Sequence, residues 1–148
     1  MENSESDCSI VFAHVLAKFQ FLEEGIRIYL KAAYALTRKR MQGAIPINLS
    51  VETLQNKSLS VLLREFAKFN SNVHLIEGIG KLIPKRNHLA HLAFYRMYLH
   101  LEEGKDIATD RAEAIQVSTA AAKCIELLHK EIESIEGLCQ KEGIMDLE

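Results

Sequence analysis

The sequence predicts an all-α protein, an antiparallel bundle of four to five helices. Three observations predict it. Apolar residues recur at spacings of three and four over long stretches, which is the period of a helix face and not of a strand. Only 2 prolines and 7 glycines punctuate 148 residues, too few for a many-turn β fold. Turn-forming clusters fall at a few places only, between segments long enough to be helices.

The first helix is predicted from Ser9 to Met41, after a polar tail over residues 1–7. Asp7 or Ser9 can cap its start. Phe12, Val15, Leu16, Phe19, Leu22 and Ile26 begin one apolar face, which Tyr29, Leu30 and Ala33 continue. Arg38, Lys39 and Arg40 end it, where cations suit the helix dipole, and they read as a solvated terminus.

Gly43 to Asn48 breaks the helix, and a loop extends to about Lys57 with a helical turn begun by Ser50. That is long for a bundle connection, so the loop packs over a neighbour or carries function. A second helix fits Ser58 to Asn70, with Leu59, Leu62, Leu63, Phe66 and Phe69 inside. Asn70-Ser71-Asn72 is a turn and a new cap. A short helix fits Val73 to Leu82. Another opens at Pro84, a proline at the first helical position, and runs to Glu103. This helix is apolar nearly all round, so one face meets its own bundle and another is left for a second subunit. The last helix runs from Thr109 or Asp110 to Gly137, followed by an acidic tail over residues 138–148. A single domain over residues 1–148 follows.

Composition narrows the function classes. The formal net charge of −2 is not that of a general nucleic-acid coat protein. Cys8, Cys124 and Cys139 are odd in number and show no C-x-x-C spacing, which argues against a disulfide framework or zinc site and fits a reducing cytoplasm. No apolar run is long enough to span a bilayer, and the polar start is not a signal peptide, so no membrane partner is expected.

The chemistry concentrates in Arg86-Asn87-His88-Leu89-Ala90-His91. On a helix, Asn87, His88, His91 and Tyr95 share roughly one face. Arg86 and His91 are five apart, about 140° around the axis, and cannot both point at one small target from a single regular helix. Two devices would bring them together. If Pro84 opens the helix, Arg86 lies in its first turn, beside unpaired N–H groups that favour an anion. A two-fold partner would add a second arginine and histidine to the same cleft.

Such a cleft suits RNA cleavage by internal attack. Histidine can take the proton of the ribose 2′-hydroxyl or give one to the leaving 5′ oxygen. A fixed arginine can hold the phosphorane oxygens, and the step needs neither metal nor cofactor. DNA lacks the 2′-hydroxyl and is spared. An arginine followed at this distance by a histidine arises by chance in roughly one such chain in three, but adding Asn beside the arginine cuts this to the order of one in fifty. A zinc site at His88 and His91 lacks an H-E-x-x-H frame and a nearby cysteine. The bland reading of Tyr95 is packing, and that of Glu23-Glu24 is a solvated pair.

On Arg86-Asn87-His88-Leu89-Ala90-His91 the chain resembles the HEPN superfamily (higher eukaryotes and prokaryotes nucleotide-binding). Its pattern is an arginine, a polar neighbour, and a histidine after four to six residues. The order of parts agrees. A long first helix carries Phe19-Gln20-Phe21-Leu22-Glu23-Glu24, a later helix carries Leu59 to Phe66, and the motif follows. The resemblance implies a helical bundle that dimerises with both motifs at the interface. In active members it implies a metal-independent endoribonuclease, commonly serving in toxin–antitoxin or antiphage systems. It makes Arg86 and His91 the catalytic pair, with Asn87 beside the arginine, His88 and Tyr95 in support, and Glu24 steadying the motif. RNA becomes the expected substrate and an antitoxin protein a further partner. One toxin subgroup has a modifiable tyrosine two residues after the histidine. Here Ala93 stands there. Other members are non-catalytic binding or dimerisation modules, which is the alternative expectation.

Overall fold

A computed structural model describes the backbone of residues 2–103 and 108–145 and the side chains of residues 9–91 and 109–145. The described chain is all-helical, with no strand. Its elements are α1 (Glu2–Arg40), a 3-10 turn (Val51–Leu54), α2 (Leu59–Phe69), α3 (Val73–Glu103) and α4 (Ala108–Lys141). Among the described residues no helix is long and apolar enough to cross a membrane.

The long helix α1 is the post around which the rest is laid. Val15, Phe19, Leu22, Ile26, Leu30 and Ala33 are buried along one side of it. Its largest contact is with α4. Lys18 Nζ donates to Ser118 Oγ at 2.6 Å, Leu128 lies over Gly25, and Cys139 Sγ reaches the Ala32 carbonyl. The two numberings rise together, so α1 and α4 run in the same direction. The Leu128 side chain packs directly on α1 at Gly25, where an added Cβ would stand 2.7 Å from its Cδ2.

The reversal of direction comes from the 42–58 connection. Arg38 Nη1 donates to the Leu49 carbonyl at 2.7 Å, and Arg27 reaches the carbonyls of Leu54 and Lys57 at 3.2 Å each. Buried Leu54 pins the 3-10 turn. The loop therefore descends along α1 from residue 38 to residue 27, doing the work of a missing antiparallel helix, and α2 then climbs. The expected turn begins at Ser50, as the sequence suggests.

Asn70 and Asn72 turn the chain from α2 into α3. The Asn72 N–H donates to Asn70 Oδ1 at 2.8 Å, and Asn72 Oδ1 accepts from the Leu75 N–H at 3.1 Å, capping α3. Both side-chain amides donate to Glu131 of α4, at 2.9 and 2.7 Å. Since Asn72 meets Glu131 and Gly78 lies by Cys124, α3 runs against α4, and hence against α1.

Three boundaries differ from the sequence reading. First, α1 starts at Glu2, so residues 2–8 are helix and not tail. Second, α4 passes through Gly137 to Lys141. The stop is supplied by Gly143, at φ +74°, with Gly143 N–H to Gln140 and Ile144 N–H to Cys139. Ile144 packs on the core behind it. Third, Pro84 opens no helix. It lies inside a continuous α3. A mid-helix proline costs about 3 kcal/mol, partly because its ring meets the carbonyl four residues back. That residue is Gly80. Buried Leu82 and Leu89 hold the helix to the core on either side of the break in the ladder.

Two glycines with opposite surroundings test this packing. No atom would lie within 4 Å of a Cβ at Gly137. Gly137→Ala is expected to raise stability by about 0.5–1 kcal/mol through lower backbone entropy in the unfolded chain. Gly25→Val is expected to lower it by about 1–3 kcal/mol by overpacking against Leu128. Urea midpoints of the two variants check both signs.

Candidate functional site

The stripe of α3 that faces the core contains Leu75, Ile79, Leu82 and Leu89, all buried. The steps are four, three and seven, so the stripe has one more position between Leu82 and Leu89. Arg86 occupies it. Its guanidinium therefore leaves α3 toward α1, and there Nη2 lies 3.2 Å from Glu23 Oε1. Glu23 is itself set among core positions, with Phe19, Leu22, Ile26 and Leu30 around it on the same side of α1. Its side chain is 16% exposed and that of Arg86 34%. Two oppositely charged residues thus stand at apolar positions of two packed helices and meet at the rim of the core.

The other motif residues are on the outside of α3. Asn87, His88 and His91 are all exposed, and Leu89 beneath them is buried. Neither histidine has an ion pair or hydrogen bond among the described residues. Within one chain, then, Arg86 and His91 diverge by about 140° around a regular helix. The structure brings Arg86 to Glu23 and does not bring it to His91. Because Pro84 is interior, the N–H groups at positions 85–88 fall within the helical ladder, and the anion site expected at a helix start is absent there. Tyr95 falls on the α3 backbone but outside the described side chains.

Glu24 projects to the other side of α1. It is exposed and lies 3.5 Å from Arg27. The glutamate that touches the motif is its neighbour Glu23, which the sequence reading left as half of a solvated pair. The signal was present in the spacing. Glu23 is four after Phe19 and three before Ile26, just as Arg86 is four after Leu82 and three before Leu89. A charge on each of two core stripes, opposite in sign, predicts that the two meet.

The remaining candidates are structural. Arg38 holds the loop at Leu49, while Lys39 and Arg40 hold the end of α4 at the Glu142 carbonyl and carboxylate. The basic triplet is thus a solvated helix end, as expected, that also clamps the loop and the end of α4. A cleft of about 280 Å³ opens between α1, Phe69 and α4, lined by Tyr29, Thr37, Arg40, Glu131 and Ser134. Apart from Ser134, its polar groups are already engaged. Tyr29 Oη donates to the Phe69 carbonyl at 2.9 Å, and burial pushes its phenol up. Glu131 accepts from Asn70 and Asn72, and Arg40 pairs with Glu142. From Asn72 to Arg86 the rise along α3 is about 21 Å, so this cleft is separate from the motif. Among the described residues no group of three or more His, Cys, Asp or Glu is arranged to hold a metal ion.

Comparison with family models, with curated proteins and with solved structures finds no match for this chain. The described residues define an all-α fold, and the site rests on the geometry above.

The Arg86–Glu23 contact can be probed without reference to activity. An ion pair at a core rim contributes little net stability, but removing one partner leaves the other uncompensated. Arg86→Met leaves Glu23, the more buried of the two, unpaired and is expected to cost more than Glu23→Ala, which leaves a partly exposed guanidinium. Arg86→Met/Glu23→Ala is expected to recover most of the loss of Arg86→Met. A double-mutant cycle by urea unfolding reads all three values.

Proposed function

We propose that this chain is a HEPN-type endoribonuclease that cuts single-stranded RNA, without a metal, at a cleft shared by two copies of the chain. The supporting observation is the placement of Arg86. A leucine or methionine at this stripe position would pack onto α1 at no electrostatic cost. An arginine stands there instead, held by Glu23 and still a third exposed, with Asn87, His88 and His91 exposed on the outer side of the same helix. A partly accessible guanidinium on one side and unpartnered imidazoles on the other suit phosphoryl chemistry shared between two copies more than packing.

In this reading His91 takes the proton of a ribose 2′-hydroxyl, and the oxygen attacks the adjacent phosphorus. Arg86 stabilises the charge on the phosphorane oxygens. The 5′ oxygen leaves with a proton from a second imidazole, so one strand ends in a 2′,3′-cyclic phosphate and the other in a 5′-hydroxyl. Arg86 and His91 diverge on one helix, so the pair acts across two chains, with the exposed side of α3 turned to the partner. Asn87 orients the phosphate, and His88 and Tyr95 line the approach. Glu23 fixes the arginine, while Glu24 has no contact with it. The cellular role that fits is a cytoplasmic toxin or antiphage effector, restrained by an antitoxin protein.

A second reading rests on the same contact. The ion pair that holds Arg86, and its divergence from His91, suit a HEPN-like binding or dimerisation module without catalysis. Incubation of the protein with single-stranded RNA in EDTA separates the two. The ribonuclease reading expects fragments ending in cyclic phosphate and a drop of about 10²–10⁴-fold in rate for His91→Ala. Equal behaviour of wild type and His91→Ala refutes the catalytic assignment and leaves the binding module.

A further inference from the structure

Most cations of the described chain are committed to internal partners. Lys18 is bonded to Ser118, Arg27 and Arg38 hold the long loop, Lys39 and Arg40 hold the end of α4, and Lys68 is paired with Glu65. Two lysines of α3 are different. Lys81 and Lys85 are exposed and have neither ion pair nor hydrogen bond among the described residues. They are four apart, so they lie one above the other on the helix surface. The next position along the same face is His88, and the preceding ones are Glu77 and His74, while His91 lies about 60° further round the helix from His88. His74 and His88 thus fall in line with two unpartnered lysines, and exposed His91 borders that line. Glu77 is the one carboxylate of that segment on this side.

The spacing matches a linear polyanion better than a compact one. Lys85 lies about 9 Å along the axis from His91, and Lys81 about 6 Å further. A single phosphate group cannot span both lysines and the histidine, whereas successive phosphates of an extended strand can. Among the described residues no other line of uncommitted cations is seen. The other uncommitted cations, such as Lys31, Arg64 and Lys141, are scattered over α1, α2 and α4.

We infer that the exposed face of α3 from Lys81 to His88 is a track for the RNA strand, with Lys81 and Lys85 against phosphates that flank the bond cut at His91. This inference rests on the ribonuclease reading and adds to it the side of the scissile bond on which the strand is held. The lysines touch backbone phosphates only, so they set affinity and not base preference.

The test uses the full chain carrying His91→Ala, which binds without cutting, and a labelled single-stranded RNA of mixed sequence. The binding constant is measured against salt concentration. Each phosphate contact on a single strand contributes a slope of about −0.7 in log K against log salt, so Lys81→Gln/Lys85→Gln is expected to flatten the slope by about 1.4. Lys123→Gln/Lys141→Gln on α4 is expected to leave it unchanged. In the otherwise wild-type chain, Lys81→Gln/Lys85→Gln is expected to raise KM several-fold and to keep kcat. An unchanged slope in the α3 double variant, with RNA still cut by wild type, overturns the track and leaves the ribonuclease reading standing. If the His91→Ala chain shows no salt-dependent RNA binding and the wild type no cleavage, both fall together.

Discussion

Burial of one side of α1 is the constraint on which the rest of this structure depends. Phe19, Leu22, Ile26 and Leu30 are almost wholly removed from solvent, and each such side chain contributes about 1.5–3 kcal/mol. No single neighbour covers that side. α4 takes one flank at the close approach over Gly25, and α2 and α3 take the other. The direction of every later element follows. Because the 42–58 loop descends along α1 in extended form, α2, α3 and α4 alternate from a start parallel to α1. That is why α1 and α4 run side by side in the same sense.

The Arg86–Glu23 contact sits where this core meets the surface. Leu82 and Leu89 fix the rotation of α3 about its axis, and that rotation alone decides that Arg86 faces α1 and His91 faces solvent. The same anchoring lets α3 continue through Pro84 instead of starting there. It removes the free helix start that could have gathered arginine and histidine around one anion. What remains is a pair of residues on two sides of one helix, so any joint action on a phosphate passes through a second copy. The structural and chemical arguments meet at this point: the packing that places Arg86 well is the packing that separates it from His91.

Much of the fold was legible because helix periodicity and capping are local. The apolar faces of α1 and α2, the Asn70–Asn72 turn and the long loop with its Ser50 turn can all be read from spacing and turn chemistry. Three features were not. The continuity of α3 through Pro84 depends on tertiary anchoring at Leu82 and Leu89. The end of α4 depends on Ile144 finding a place in the core behind Gly143, which makes Gly143 and not Gly137 the stop. The shared direction of α1 and α4 depends on a loop whose path is set by carbonyl contacts to Arg27 and Arg38. Each is a choice made by packing between elements far apart in sequence. At the site, the motif residues themselves were visible, and so in principle was Glu23. Adjacent Glu24 masks its stripe position, because the two together read as one solvated pair.

The central claim is that Arg86 and His91 form one active site only across two chains. Mixing Arg86→Ala and His91→Ala proteins, each inactive alone, tests it most directly. A shared cleft predicts recovery of RNA cleavage to roughly a quarter of wild type, since about half the dimers are mixed and each restores one of two sites. A mixture that stays as inactive as its components, while wild type cuts RNA, would contradict it.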